Sequence, residues 1–165
     1  MYNHIPKWTV IFLLDNIVPT KIILLKRAPT KKFAPNYYTG IGGKVEDGET
    51  VIQGAYRELK EETGLNKIHL TEFAHAIVNN QRFLGYFVGV YQKDDVPICN
   101  EGILEWVSVD KLFEKQIIPT TGEVVKMWKK RQFQTDKQFS VLMHGIPIEG
   151  VTKDIIIDKV IEFIT

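Results

Sequence analysis

The chain has 165 residues, 44% hydrophobic and 25% charged, which is ordinary globular composition and long enough for one domain with a full apolar core. Its formal net charge of +1 points to neither a nucleic-acid polymer nor a membrane as partner, and a lone cysteine, Cys99, excludes an internal disulfide. The apolar stretch Trp8–Leu14 is too short to span a membrane and no small-residue cleavage site follows it, so the expected location is the cytoplasm.

Trp8–Asp15 and Ile22–Arg27 are β-branched and aliphatic runs, separated by a polar break at Pro19 and Thr20. They predict two strands of a hairpin or meander. Lys26, Arg27, Lys31 and Lys32 then form a basic cluster with Pro29 inside it, which suggests a loop. Tyr37–Ile41 predicts a short strand that ends in Gly42-Gly43. The clearest helix is Val51–Thr63: Thr50 and Gln53 match a capping box, and Gly64 stands where a left-handed cap belongs. Ile52, Ala55 and Leu59 give that helix a narrow apolar stripe.

Ile68–Asn79 and Phe83–Tyr91 predict strands joined by the turn Asn79-Asn80-Gln81. A shorter strand follows at Leu104–Val109. Asp110 can cap a short helix through Phe113, and Gly122–Arg131 predicts a second longer helix. Phe139–His144 reads as a late strand. The tail Lys153–Ile164 suits a strand by its isoleucines and a helix by its charge spacing. With no repeat, low-complexity segment or linker, one mixed α/β domain over 1–165 is the simplest organisation.

Glu58, Glu61 and Glu62 stand three and four residues apart, so on a helix they share a face. Like charges at that spacing cost roughly 0.2–0.5 kcal/mol per exposed pair. Arg57 reaches Glu61 at i+4, but negative charge remains in excess. Either the face is simply solvated or a divalent cation relieves it. Hard Mg²⁺ prefers carboxylate oxygens, and no Cys or His stands nearby at zinc spacing. The glycine-rich stretch Gly40-Ile41-Gly42-Gly43 precedes the helix and allows close backbone approach to a ligand. No Gly-Lys-Ser/Thr closes it, so it is not a Walker A loop.

Loop and helix together resemble the Nudix hydrolase family. Gly43 is followed by five residues and Glu49, and seven residues later by Arg57-Glu58-Leu59-Lys60-Glu61-Glu62-Thr63-Gly64-Leu65. Every defined position of the family's box is matched over Gly43–Leu65. The resemblance implies an α/β/α sandwich with a mixed β-sheet. It implies Mg²⁺ or Mn²⁺ held by Glu58, Glu61 and Glu62 with a carbonyl of Gly42 or Gly43. It also implies that Arg57 and Glu49 pair and orient the metal-binding glutamates. The family cleaves a nucleoside diphosphate linked to another group by attack of water on phosphorus. Glu58 or Glu61 is then a candidate base, as is Glu101 in "CNEGILEW".

"GIGGKVEDGET" and "NEGILEWVSVDKL" are similar to the MutT-type branch, which sanitises nucleotide pools. That implies hydrolysis of a nucleoside triphosphate, with 8-oxo-dGTP as the first candidate, to the monophosphate and pyrophosphate. ADP-ribose or another nucleoside diphosphate derivative is a second enzymatic reading, and a nucleotide sensor without turnover is a third. The human member of the branch binds the oxidised base through Trp-Pro-Asp-Asp. The roughly corresponding "IIPTTGEVV" here keeps Pro119 but has no paired aspartates. Glu123 is the substitute candidate for a purine edge, although an acid in a helix first turn is favoured there in any case. Lys44, inside the glycine loop, is the best candidate for the phosphates, with Lys26 and Arg27 behind it. Tyr37, Tyr38, Phe83, Tyr86, Trp106 and Trp128 are available to stack a base, although most aromatics in strands are core. Cys99 reads as a passive thiol. A homodimer is possible, as in other Nudix proteins.

Overall fold

In the computed structural model, which describes residues 4–162, the first apolar run is strand β1 (Lys7–Leu14). It pairs antiparallel with β2 (Lys21–Arg27) at Leu13 and Leu14, as the hairpin reading expects. Its longer partner comes from far along the chain. β5 (Arg82–Val90) runs parallel to it over the whole of Lys7–Leu14. This central position explains the absence of polar alternation in β1, because both faces are covered. Val10, Phe12 and Leu14 point into one apolar cluster, Ile11 and Leu13 into another.

The other strands are β3 (Tyr38–Thr39), β4 (Thr71–Val78), β6 (Gly102–Ser108), β7 (Phe139–Ile148) and β8 (Val151–Glu162). They complete one mixed sheet in the order β3-β2-β1-β5-β4-β7-β8, with β6 antiparallel to β2 along its length. Helix α1 (Val51–Thr63) covers one face through Ala55 and Leu59. Helix α2 (Pro119–Lys130) covers the other through Val124, Val125 and Trp128. The result is the α/β/α sandwich expected. Trp128 is fully buried and stacks on Phe73 at 4.1 Å between centroids, with Phe133 edge-on at 4.8 Å.

Several elements differ from the sequence reading for identifiable reasons. The stripe of α1 is Val51, Ala55 and Leu59, not Ile52, which is 41% exposed. Ile52 is rotated about 100° from Val51 and so turns away from the sheet. Helix α2 starts at Pro119, three residues before Gly122, because Pro at the first helical position needs no hydrogen-bond partner. The segment Val109–Glu114 is a 3₁₀ turn, and its cap is Ser108, whose Oγ accepts from the Asp110 N–H. Asp110 stands in its first turn. Strand β4 begins at Thr71 rather than Ile68, and β3 shrinks to two residues, with Ile41 bridging Ile11 separately. The ambiguous tail is strand β8, the long second arm of a hairpin with β7; Phe163 and Ile164 lie outside the described residues. Among the described residues no helix is long and apolar enough to cross a membrane.

Candidate active site

The capping box forms as expected. Thr50 Oγ1 accepts from Gln53 N–H and Gln53 Oε1 accepts from Thr50 N–H at 2.8 Å. At the other end Gly64, at φ 78°, closes α1 on the Lys60 carbonyl. With both ends fixed, Glu58, Glu61 and Glu62 project from one side of the helix into a cavity of about 590 Å³. The glycine loop forms the facing wall, held to β1 by Thr9 N–H on the Gly43 carbonyl at 2.9 Å and Ile11 N–H on Ile41 at 2.6 Å. A Cβ on Gly42 would lie 1.9 Å from the Thr9 carbonyl oxygen. One on Gly43 would lie 2.5 Å from the Glu58 carboxylate. The glycines are therefore what lets this acid face lie against backbone.

Arg57 organises the acids. Its Nε donates to both oxygens of Glu49 at 3.1 and 3.2 Å, and Nη2 to Glu49 Oε1 at 2.7 Å and the Lys44 carbonyl at 2.9 Å. Nη1 donates to Glu58 at 2.9 Å and Glu61 at 3.1 Å. These bonds hold the Glu49 carboxyl below the usual range and push the guanidinium further up. Glu62 shows the opposite behaviour: burial raises its pKa, and the nearby charges of Glu58 and Glu61 raise it further. Its Oε2 is buried and has no hydrogen-bond partner. A buried carboxylate oxygen without a donor, beside two more carboxylates, suits a hard divalent cation. Among the described residues, however, no three acids already converge on one point. Glu58 and Glu61 are turned to Arg57, and Glu101, which also lines the cavity, is ion-paired to Lys31.

A family model described as the NUDIX domain matches residues 5–128. The chain belongs to the Nudix family. Its Nudix box is the loop and helix just described. A 68-residue stretch is 35% identical to the oxidized purine nucleoside triphosphate hydrolase of Mus musculus, covering 41% of this chain and 40% of the mouse enzyme. The Bacillus subtilis Nudix hydrolase YvcI is 26% identical over 121 residues, 68% of this chain and 73% of its own length. In fold, the chain matches the MutT protein of Bacillus halodurans with a TM-score of 0.67 at 17% identity, over 96% of this chain and 97% of that one.

Beyond the acid face the cavity is lined by the expected Lys44 and by residues the sequence ranks lower or does not single out. Lys44 lines it and lies over the Trp8 ring at 5.9 Å. Arg27 lines it too, but Lys26 does not. None of the six aromatics considered for stacking is present: Tyr86 and Trp128 are core, and the cavity uses Trp8 and Phe33 instead. Phe33, 38% exposed between lysines and Ala34, left a signal in the sequence as an aromatic inside a basic loop. Arg82, Thr120 and Thr121 complete the far wall. Arg27 and Arg82 are half-buried, which lowers both pKa values, and among the described residues neither meets a carboxylate. Glu123 is outside this cavity. It borders a separate depression on α2 and pairs with Lys126 at 3.4 Å; because α2 begins at Pro119, Glu123 falls in the second turn and is not the first-turn acid expected either. Cys99 is half-buried, and burial, then Glu62, push its thiol up to about 11, consistent with a passive role.

Proposed function

We propose that the protein is a divalent-metal-dependent pyrophosphohydrolase that cleaves a nucleoside triphosphate to the monophosphate and pyrophosphate. The observation that carries this reading is the unpartnered, buried Glu62 Oε2 beside Glu58 and Glu61 in a glycine-walled cavity. Glu58, Glu61 and Glu62, with a carbonyl of Gly42 or Gly43, would hold Mg²⁺ or Mn²⁺. Bound there, the cation supplies charge neutralisation of the phosphates and a more acidic water. The remaining work falls to side chains. Arg57, locked by Glu49, fixes the rotamers of Glu58 and Glu61. Lys44 and Arg27 meet the phosphates. Glu58, Glu61 or Glu101 takes the proton of the attacking water. Trp8, Phe33 and Leu84 offer apolar surface to the base, with Thr120, Thr121 and Arg82 as polar contacts at its edge.

Resemblance to an oxidized-purine hydrolase makes 8-oxo-dGTP the first substrate to test. The paired acids of the human enzyme are missing, and with Glu123 on another surface no acid replaces them in this wall, so base recognition falls to the arginine and threonines. The deciding experiment is a substrate panel at fixed Mg²⁺ with products resolved by chromatography. It includes 8-oxo-dGTP, ordinary NTPs and dNTPs, ADP-ribose, NADH and diadenosine polyphosphates. A kcat/KM preference for a triphosphate with release of pyrophosphate is the expected result. Preference for a diphosphate derivative would keep the metal face and overturn the substrate.

A further inference from the structure

The acids of the cavity are balanced by two cations from the chain itself. Arg57 serves Glu58 and Glu61, and is locked in place by Glu49 and the Lys44 carbonyl. Lys31 serves Glu101 through a direct ion pair. The two cations differ in freedom. Arg57 hydrogen-bonds four partners, Glu49, Glu58, Glu61 and the Lys44 carbonyl, whereas among the described residues the Lys31 ammonium has one ion-pair partner, Glu101, on a long stem that is 32% exposed.

The backbone around Lys31 is nonetheless well placed. Its N–H donates to the Ala28 carbonyl at 3.2 Å, and Ala28 N–H donates to the Glu101 carbonyl at 3.3 Å. The neighbouring Asn100 ties the same loop to α1, through its N–H to the Glu62 carbonyl and its side-chain amide to the Glu61 carbonyl at 3.2 Å. The loop after β2 therefore delivers one ammonium to Glu101, which lines the same cavity as Glu62. A lysine there is not needed to hold the loops, since backbone bonds already join them.

We propose that Lys31 is a substrate-positioning residue that alternates between Glu101 and the phosphate chain of the substrate. At rest, Lys31 neutralises Glu101 on the wall of the cavity. When Glu101 turns to the attacking water as base, the ammonium is released from its partner beside the entering polyphosphate. It then pairs with a phosphate oxygen there. The inference rests on the metal-dependent reading above.

Mn²⁺ binding, followed by the loss of the free-ion EPR signal without nucleotide, tests the first half. Lys31→Met removes a competing cation and keeps the stem. It is expected to bind Mn²⁺ more tightly than the unaltered protein by roughly fivefold, the order of one partly exposed ion pair. Steady-state kinetics tests the second half: Lys31→Met raises KM for the nucleotide with a smaller change in kcat, and Lys31→Arg restores KM. A role confined to holding the loop would leave Mn²⁺ affinity unchanged or lower it, and either result overturns the proposal. So does an unchanged KM. If the unaltered protein binds no Mn²⁺, the metal face itself fails, which is a separate result from equal binding by both proteins.

Discussion

Arg57 holds Glu49 through three contacts of 2.7–3.2 Å while its remaining nitrogen reaches Glu58 and Glu61. One planar fork thus links the loop before α1 to the acid face of α1. Lysine has one compact charge and cannot span these partners. Arg57→Lys and Arg57→Ala are both expected to lower kcat/KM by ~10–100-fold, the size typical of a residue that orients metal ligands. Full activity in Arg57→Lys would show that charge alone suffices.

The same pair makes stability depend on acidity. The folded-state pKa of Glu49 lies below its ordinary value, chiefly because of its bonds to Arg57. Its contribution is therefore present above pH ~4.3 and is lost as pH falls through the lower folded value. Urea unfolding should show Glu49→Gln less stable than the unaltered protein at pH 7, with a smaller gap at pH 3. An equal gap at both pH values would mean that the loss is one of packing.

Glu62 should behave in the opposite sense. Its pKa is raised by burial first and by Glu58 and Glu61 next, so without metal its charge opposes folding above the raised value. In EDTA at pH 7, Glu62→Gln is expected to melt at or above the temperature of the unaltered protein. Mg²⁺ should raise the melting temperature of the unaltered protein and do so less in the variant, as ligand linkage requires. The variant should lose more activity than the ~100-fold upper figure for a supporting residue. A clear fall in melting temperature in EDTA would contradict the placement of Glu62 as an uncompensated buried acid.

Most of this arrangement was legible in the sequence because the relevant signals are local. Thr50, Gln53 and Gly64 mark both ends of α1, and the glutamate spacing sets its acid face. The strands around β1 were visible as apolar runs, although their partners were not. The pairing of β1 with β5 joins residues more than seventy positions apart, and nothing in either run specifies it. The far cavity wall was missed for the same reason. Arg82 enters by that pairing and is held by Thr152 Oγ1 from β8, at 3.1 Å. Phe33 lies beside the β7–β8 turn, where the Gly150 carbonyl accepts Ala34 N–H. Glu123 was chosen by proximity to Pro119 in sequence, but the rotation of α2 turns it to another surface.

Trp128 carries much of the packing on the α2 side. It is fully buried, stacks on Phe73, meets Phe133 edge-on and donates Nε1–H to the Gln134 carbonyl at 3.1 Å. Trp128→Ala should cost ~3–5 kcal/mol in urea unfolding. Trp128→Phe should cost less, since it keeps most of the apolar volume and loses the donor. Near-equal losses would show that the hydrogen bond, rather than the volume, dominates.

Gly43 offers the sharpest separation of fold from chemistry. A Cβ there would meet Glu58 Oε1 and Cδ at 2.5 Å and Oε2 at 2.7 Å, atoms at the end of a flexible side chain. Gly43→Ala is therefore relieved by turning Glu58 away, with the backbone left in place. At Gly42 the obstacle is the Thr9 carbonyl oxygen at 1.9 Å, which can move only with strand β1. The two neighbouring substitutions should then diverge. Gly43→Ala should cost less stability than Gly42→Ala, because the end of a side chain yields more readily than backbone even though Glu58 is buried, and lose Mn²⁺ affinity and turnover together. Gly42→Ala should lose stability first, by ~1–3 kcal/mol or more for an overpacked site. Urea midpoints and Mn²⁺ titrations on both variants separate these outcomes. Unchanged Mn²⁺ affinity in Gly43→Ala would remove Glu58 from the set of metal-holding residues, because displacing its carboxylate would then have had no effect on the ion.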